Sequence, residues 1–154
     1  PLFVDAGPVR PGFPLEELGR AEILSPNETE CAALTGIVPD SVESCLKAAI
    51  RLAGMVETKY VVIKLGSRGS FVYDGKYYHL VPAHKVQAVD TTAAGDVFTA
   101  ALSYAYLQKG DIQEAARFAT YAAALSVTKE GAVPSVPTLR QVKDFAAQLR
   151  EGGR

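Results

Sequence analysis

The sequence predicts an α/β protein with a largely parallel sheet, and three observations lead there. Short apolar runs rich in strand formers, Leu2–Val4, Ile23-Leu24 and Tyr60–Lys64, are separated by loops and helix-periodic stretches. One hairpin signal, Asp74-Gly75, joins Ser70–Tyr73 to Tyr77–Val81. The last third of the chain carries helical patterning throughout, with caps and stops in place.

Leu2–Val4 reads as a buried strand ended by Asp5-Ala6-Gly7-Pro8, and Pro11-Gly12 with Pro14 keeps the next loop irregular. Leu15–Leu18 adds a helical turn before the Ile23-Leu24 strand. After Ser25-Pro26-Asn27, Glu28 to Leu34 is a helix with acids in its first turn and Gly36 past its end. Ser41 to Leu52 is the next helix: Ser41 or Asp40 caps it, and Val42, Leu46, Ala49, Ile50 and Ala53 recur at helical spacing. Gly66-Ser67-Arg68-Gly69 is a glycine-bounded loop after the Tyr60–Lys64 strand, and Lys85–Val89 reads as a further strand beyond the hairpin. A helix spans Asp96 to Gln108 with Gly110 as its stop. Asp111 and Glu114 have capping-box spacing and open an Ala-rich helix that runs to Val127. Thr138 with Gln141 opens a last amphipathic helix carrying Val142, Phe145, Ala146 and Leu149, and Glu151–Arg154 reads as a frayed tail.

Composition narrows the class of function. The 154 residues suit one domain; 48% are hydrophobic and 21% charged, with a formal net charge of −1 and no Trp. That excludes a disordered chain, a collagen-like fibre and a disulfide scaffold, and it offers no basic field for nucleic acid. Cys31 and Cys45 lie in helix-like stretches without a C-x-x-C pair, so they read as free, buried thiols suited to a reducing cytoplasm. His79 and His84 lack an acidic or thiol partner in sequence and read as structural or surface residues, and Tyr77-Tyr78 reads as a packed sheet face. No signal segment opens the chain and no apolar run of ~18 residues could cross a bilayer. The expectation is a cytoplasmic protein with neither membrane nor nucleic-acid partners.

The segment richest in chemistry is Val89-Asp90-Thr91-Thr92-Ala93-Ala94-Gly95-Asp96, which leads into a long helix. The small residues Ala93, Ala94 and Gly95 bring backbone N–H groups without intrahelical partners to the helix start. Small side chains and the helix dipole favour an approaching anion such as a phosphate. Asp96 would repel that anion unless it has a separate task, such as accepting a proton from an attacking hydroxyl. On residue types alone a second reading stands beside this one, a glycine turn with Asp96 as a cap or first-turn acid.

Asp90 to Asp96, with Phe98, resembles the D-T-T-[GA]-A-G-D-x-F signature of the ribokinase-like (PfkB) sugar kinases. Further segments follow in that family's order. Ser25-Pro26-Asn27-Glu28-Thr29-Glu30 resembles its N-x-x-E motif, Lys64 to Gly69 its nucleotide-binding loop, and Gly131 to Pro137 its C-terminal loop. The resemblance covers nearly the whole chain. It implies a ribokinase-like three-layer α/β/α fold with a mostly parallel sheet, of which residues 1–154 are the C-terminal portion.

The resemblance also implies roles. Asp96 is the catalytic base for a primary sugar hydroxyl and contacts the sugar, and Ala93, Ala94 and Gly95 form the anion hole for the transferring phosphoryl group of ATP. Asn27 and Glu30 act on Mg²⁺ and phosphate through water, and Asn27 also approaches the phosphates. Lys64, Leu65, Gly66, Ser67, Arg68 and Gly69 surround the nucleotide, with Arg68 either a phosphate contact or a solvated charge. Thr120 faces adenine. Asp90 and Thr92 form one arm of a monovalent-cation site, usually K⁺, and Ser126, Lys129, Gly131 and Ser135 the other, chiefly through carbonyls.

Within the family, the paired forms of these motifs favour the ribose-phosphorylating members over fructokinase, 2-keto-3-deoxygluconate kinase and nucleoside kinases. Nothing in the chain resembles the family's N-terminal sugar-binding half or its β lid, which often makes a homodimer. Leu2–Val4 is then an interior strand whose neighbours lie in the missing half. The chain alone is expected to be inactive, and a nucleotide-binding module without turnover is the competing reading.

Overall fold

A computed structural model describes residues 1–10 and 13–152; the loop expected at Pro11-Gly12 and the end of the tail lie outside the described residues. The chain divides into two compact units, residues 1–81 and 82–154.

The first unit is a five-stranded sheet with two helices. Its strands are β1 (Phe3–Val4), β2 (Arg20–Leu24), β3 (Glu57–Lys64), β4 (Ser70–Tyr73) and β5 (Tyr78–Val81), in that spatial order. β1, β2 and β3 pair in parallel, and β4 is antiparallel to both its neighbours, so four of the five strands point one way. The helices α1 (Glu28–Thr35) and α2 (Val42–Met55) fill the β2–β3 connection, as a parallel crossover requires. A 3₁₀ turn at Leu15–Leu18 lies between β1 and β2. β3 begins with alternating exposure and ends in four buried residues, Val61–Lys64. Leu24, Cys31, Ala48, Leu52, Ile63 and Phe71 belong to one core cluster.

Sequence-encoded caps set the helix starts. Asn27 Oδ1 accepts from the Glu30 N–H at 2.8 Å while Glu30 Oε2 accepts from the Asn27 N–H at 2.7 Å, a reciprocal capping box. Ser41 and Ser44 make the same arrangement at α2. Both cysteines are buried free thiols, and burial pushes the Cys31 thiol up to about 11.

The second unit is helical: α3 (Ala94–Lys109), α4 (Ile112–Ser126), α5 (Ala132–Ser135) and α6 (Leu139–Gly152). Asp111 accepts from the Gln113 and Glu114 N–H groups, but the Glu114 carboxylate turns to Arg117 at 2.9 Å, so only half of the expected capping box forms. Thr138 and Gln141 exchange side-chain and backbone bonds at the start of α6, as their spacing predicts. Ala93, Val97, Ala122 and Val142 form an apolar cluster of this unit, where small Ala side chains allow close helix approach.

Four sequence expectations are corrected. Lys85–Val89 is not a strand: the Val89 and Asp90 N–H groups donate to the Val127 carbonyl at 2.7 and 3.2 Å. Helix C-terminal carbonyls need outside donors, and this segment supplies them. His84 anchors the same segment by stacking on Tyr121 at 4.8 Å. Gly131 to Pro137 is not wholly loop, since one helical turn, α5, sits inside it. Tyr77 and Tyr78 are 58% and 44% exposed rather than packed, because they lie at and beside the edge strand β5, although Tyr78 stacks on Phe71 at 5.2 Å. The tail residues Glu151 and Gly152 are still helical.

Candidate functional site

In the first unit, β1, β2 and β3 end at the same edge of the sheet because they run parallel. The carboxyl ends of parallel strands are where such sheets place ligands. β2 leads into Asn27, and β3 ends on Lys64, whose N–H donates to the Pro26 carbonyl at 2.8 Å. Asn27, Glu30 and Lys64 are thereby brought together. The Lys64 ammonium, on a residue only 8% exposed, pairs with Asp5 Oδ2 at 2.7 Å just after β1.

The Gly66–Gly69 turn follows. Gly66 (φ 55°) and Gly69 (φ 95°) both occupy left-handed backbone, which explains the glycines at both ends of the loop. Arg68 holds this turn against α1: its guanidinium donates to Glu28 Oε1 at 2.5 Å and to the Pro39 and Asp40 carbonyls at 2.6 and 3.0 Å. Arg68 thus ties the turn to Glu28, Pro39 and Asp40 while its side chain stays 42% exposed. Leu65 is buried beneath the turn and Ser67 is exposed on it.

In the second unit, Ala93 caps α3 and Asp96 stands exposed in its first turn. The Ala94 N–H donates to the Thr91 carbonyl at 3.2 Å and the Val97 N–H to the Ala93 carbonyl at 2.9 Å. Among the described residues, the Gly95 and Asp96 N–H groups have no hydrogen-bond acceptor. The Ala93 N–H likewise has none, so within the expected Ala93–Gly95 set the Ala94 donor is the occupied one.

Asp90 organises the loop before them. Its Oδ1 accepts from the Thr92 N–H at 2.9 Å and the Thr92 hydroxyl at 2.5 Å, and its Oδ2 accepts from the Gly131 N–H at 2.9 Å. Residues 41 positions apart are joined by one carboxylate. Ser126 Oγ and Ser135 Oγ lie 3.2 Å apart nearby in sequence, and the Lys129 N–H donates to the Ser126 carbonyl. The two arms expected around a monovalent cation are thus linked to each other. Thr120 is buried, with its hydroxyl donating to the Ala116 carbonyl at 2.9 Å, so that donor is engaged by its own helix.

The Thr92 hydroxyl, then the Gly131 and Thr92 N–H groups, hold the Asp90 carboxyl below the usual carboxylate range. A lowered folded-state value means that the clamp's contribution is complete above the unfolded value, about 3.9. It is lost as pH falls through the folded value. The Gly131 amide resonance should therefore stay constant down through the ordinary Asp range and move only at more acid pH. A midpoint at or above the ordinary value would contradict the clamp.

Asp5 escaped the sequence reading. The signal was present, because the first residue after a parallel strand is a preferred site position. Its partner, however, is 59 residues away. Among the described residues, no group of three or more His, Cys, Asp or Glu side chains could hold a metal ion by itself, and no helix is long and apolar enough to cross a membrane.

Fold and site together define a class: an α/β protein of the carbohydrate-kinase type, with its loops at the ends of parallel strands and a small-residue helix start bearing a carboxylate. The model of the pfkB family carbohydrate kinases matches residues 14–139, and the chain belongs to that family. It is 40% identical over 146 residues to ribokinase from Arabidopsis thaliana, covering 92% of this chain and 38% of that protein. It is 41% identical over 131 residues to ribokinase from Haemophilus influenzae, covering 84% and 42%. The structure of the Arabidopsis thaliana ribokinase complexed with ribose and ATP superposes with a TM-score of 0.86 at 37% identity, over 94% of this chain and 47% of that one. The ribokinase-like α/β fold expected from the motifs is the fold found, and the chain spans less than half the length of these relatives.

Proposed function

We infer that this chain is the nucleotide-binding, base-carrying part of an ATP-dependent sugar kinase, with D-ribose to D-ribose 5-phosphate as the reaction. Its likeness to two ribokinases at about 40% identity carries the sugar-kinase reading. The Asp90–Gly131 clamp and the free N–H groups at α3 support the chemistry.

Asp96 accepts the proton of the sugar's primary hydroxyl as that oxygen attacks phosphorus. The backbone N–H groups of Ala93 to Gly95, with that of Asp96 beside them, take up charge developing on the transferring phosphoryl group. The donor sets fit the groups they would hold. Free amide donors at a helix start suit a phosphate, and the all-oxygen set of Asp90, Thr92, Ser126, Lys129, Gly131 and Ser135 suits a hard cation such as K⁺. Asn27 and Glu30 would hold Mg²⁺ through water, where it would neutralise phosphate charge, and the monovalent cation would keep the loop in shape without touching the substrate. Lys64 to Gly69 line the nucleotide, with Thr120 at the base. The sugar-binding positions and β lid belong to an N-terminal half outside these residues, the whole enzyme is a cytoplasmic homodimer, and the chain alone is inactive.

Mixing the chain with ATP, Mg²⁺, K⁺ and ribose should release almost no ADP, and joining it to a ribokinase N-terminal half should restore ribose-dependent ADP release. That activity should fall when a large organic cation replaces K⁺. Robust ribose-dependent turnover by the chain alone would sink the claim that another half supplies the sugar site. Turnover by the joined protein with another sugar, but not with ribose, would reassign the substrate.

A further inference from the structure

We propose that a cavity among α3, α4 and α6 is a binding site for a small organic anion with an apolar ring body, separate from the nucleotide and sugar positions. The three helices line an open cavity of about 730 Å³. Small-molecule sites have volumes of roughly 300–1,000 Å³. The part of α3 that lines it begins at Tyr104, eight positions beyond Asp96, or about 12 Å along the helix. None of Asp90, Thr92, Thr120, Ser126 and Ser135 lines it.

Small side chains keep the space open and aromatic ones give it walls. Ala115 of α4 and Ala146 and Ala147 of α6 are too short to fill the gap between the helices. Tyr104 and Phe118 stand 6.1 Å apart along the α3–α4 side. Tyr121 is braced by His84 at 4.8 Å and by Phe145 at 6.3 Å. Rings packed in this way offer faces and edges to another ring.

Charge selects the ligand. In a chain of net charge −1, the cavity gathers four cations, Lys109, Arg117, Lys143 and Arg150, and one carboxylate, Glu114. Glu114 is engaged by Arg117 at 2.9 Å. Among the described residues, Lys109, Lys143 and Arg150 make no ion pair. Lys143 and Arg150 are seven positions apart, so they share one face of α6 with Ala146 and Ala147 between them. A neutral ligand would leave these cations facing one another without a counter-charge. A sugar phosphate would answer the charge but leave the rings uncovered. An anion on an apolar ring system satisfies both.

The probe is anilinonaphthalene sulfonate, with phenylnaphthylamine as the same ring skeleton lacking the anion. In titrations of the chain followed by its amide resonances, the sulfonate should move Ala105, Phe118 and Ala147, one on each helix of the cavity, with a single saturating curve. Lys143→Glu/Arg150→Glu should weaken the sulfonate about 10-fold or more, because two attractions become repulsions. It should leave the neutral dye within about twofold. Ala147→Trp, at an exposed position that lines the cavity, should weaken both dyes about 10-fold or more by filling it. Saturating MgATP should not displace the sulfonate. The inference is overturned if those three resonances stay in place, if Ala147→Trp binds the sulfonate as wild type does, if the charge reversal weakens both dyes alike, or if MgATP displaces the probe. Should Ala147→Trp not fold, the charge reversal at the exposed Lys143 and Arg150 makes the decision.

Discussion

Asp96→Asn is expected to lower kcat by a factor on the order of 10³ in an enzyme carrying this chain, within the range for loss of a general base. MgATP affinity should stay near wild type. The carboxamide has nearly the same shape and preserves the first turn of α3, where Asp96 is exposed and makes no buried contact. It cannot accept the hydroxyl proton. Single-turnover kinetics beside equilibrium MgATP binding separate the two effects. Retained kcat would place the base elsewhere. A loss confined to nucleotide affinity would return Asp96 to the role of a first-turn acid.

Phe71→Ala should cost about 3–5 kcal/mol of stability, the usual range for emptying a core aromatic site. Phe71 is fully buried in β4, pairs across the sheet with Ile63 and Leu80, and stacks on Tyr78. Its neighbours are held in a ladder on both sides, so the cavity has little freedom to collapse. Urea unfolding followed by circular dichroism gives the value. A loss below about 1 kcal/mol would mean that the sheet repacks around the gap, contrary to a rigid five-stranded core. Leu80→Ala, on the same face but in the edge strand β5 and 53% exposed, should cost far less.

Local chemistry made most elements legible. The Asn27–Glu30 and Ser41–Ser44 caps, the Asp74-Gly75 turn and the stop at Gly110 act within four residues, so spacing alone reveals them. The Asp90–Asp96 segment was legible through its motif rather than through residue types alone, which a glycine turn with a first-turn acid would also fit. What failed was less local. Lys85–Val89 has strand-like composition, but the N–H groups at its end, of Val89 and the following Asp90, serve the end of α4. Propensity is blind to a carbonyl nearly 40 residues away. Tyr77-Tyr78 has the composition of a packed face, but the hairpin leaves it at a sheet edge.

The sequence by itself determined the family, the parallel strands and the small-residue start of α3, because these depend on short-range pattern and motif. Only the tertiary structure decided which partners the charged side chains take. Arg68 closes on Glu28 and two carbonyls, Asp90 reaches Gly131, and Lys64 turns to Asp5. Each of these pairings spans 28 residues or more. A charged side chain takes its partner from whatever the packed chain brings within a few ångströms, and sheet register and loop closure set that choice.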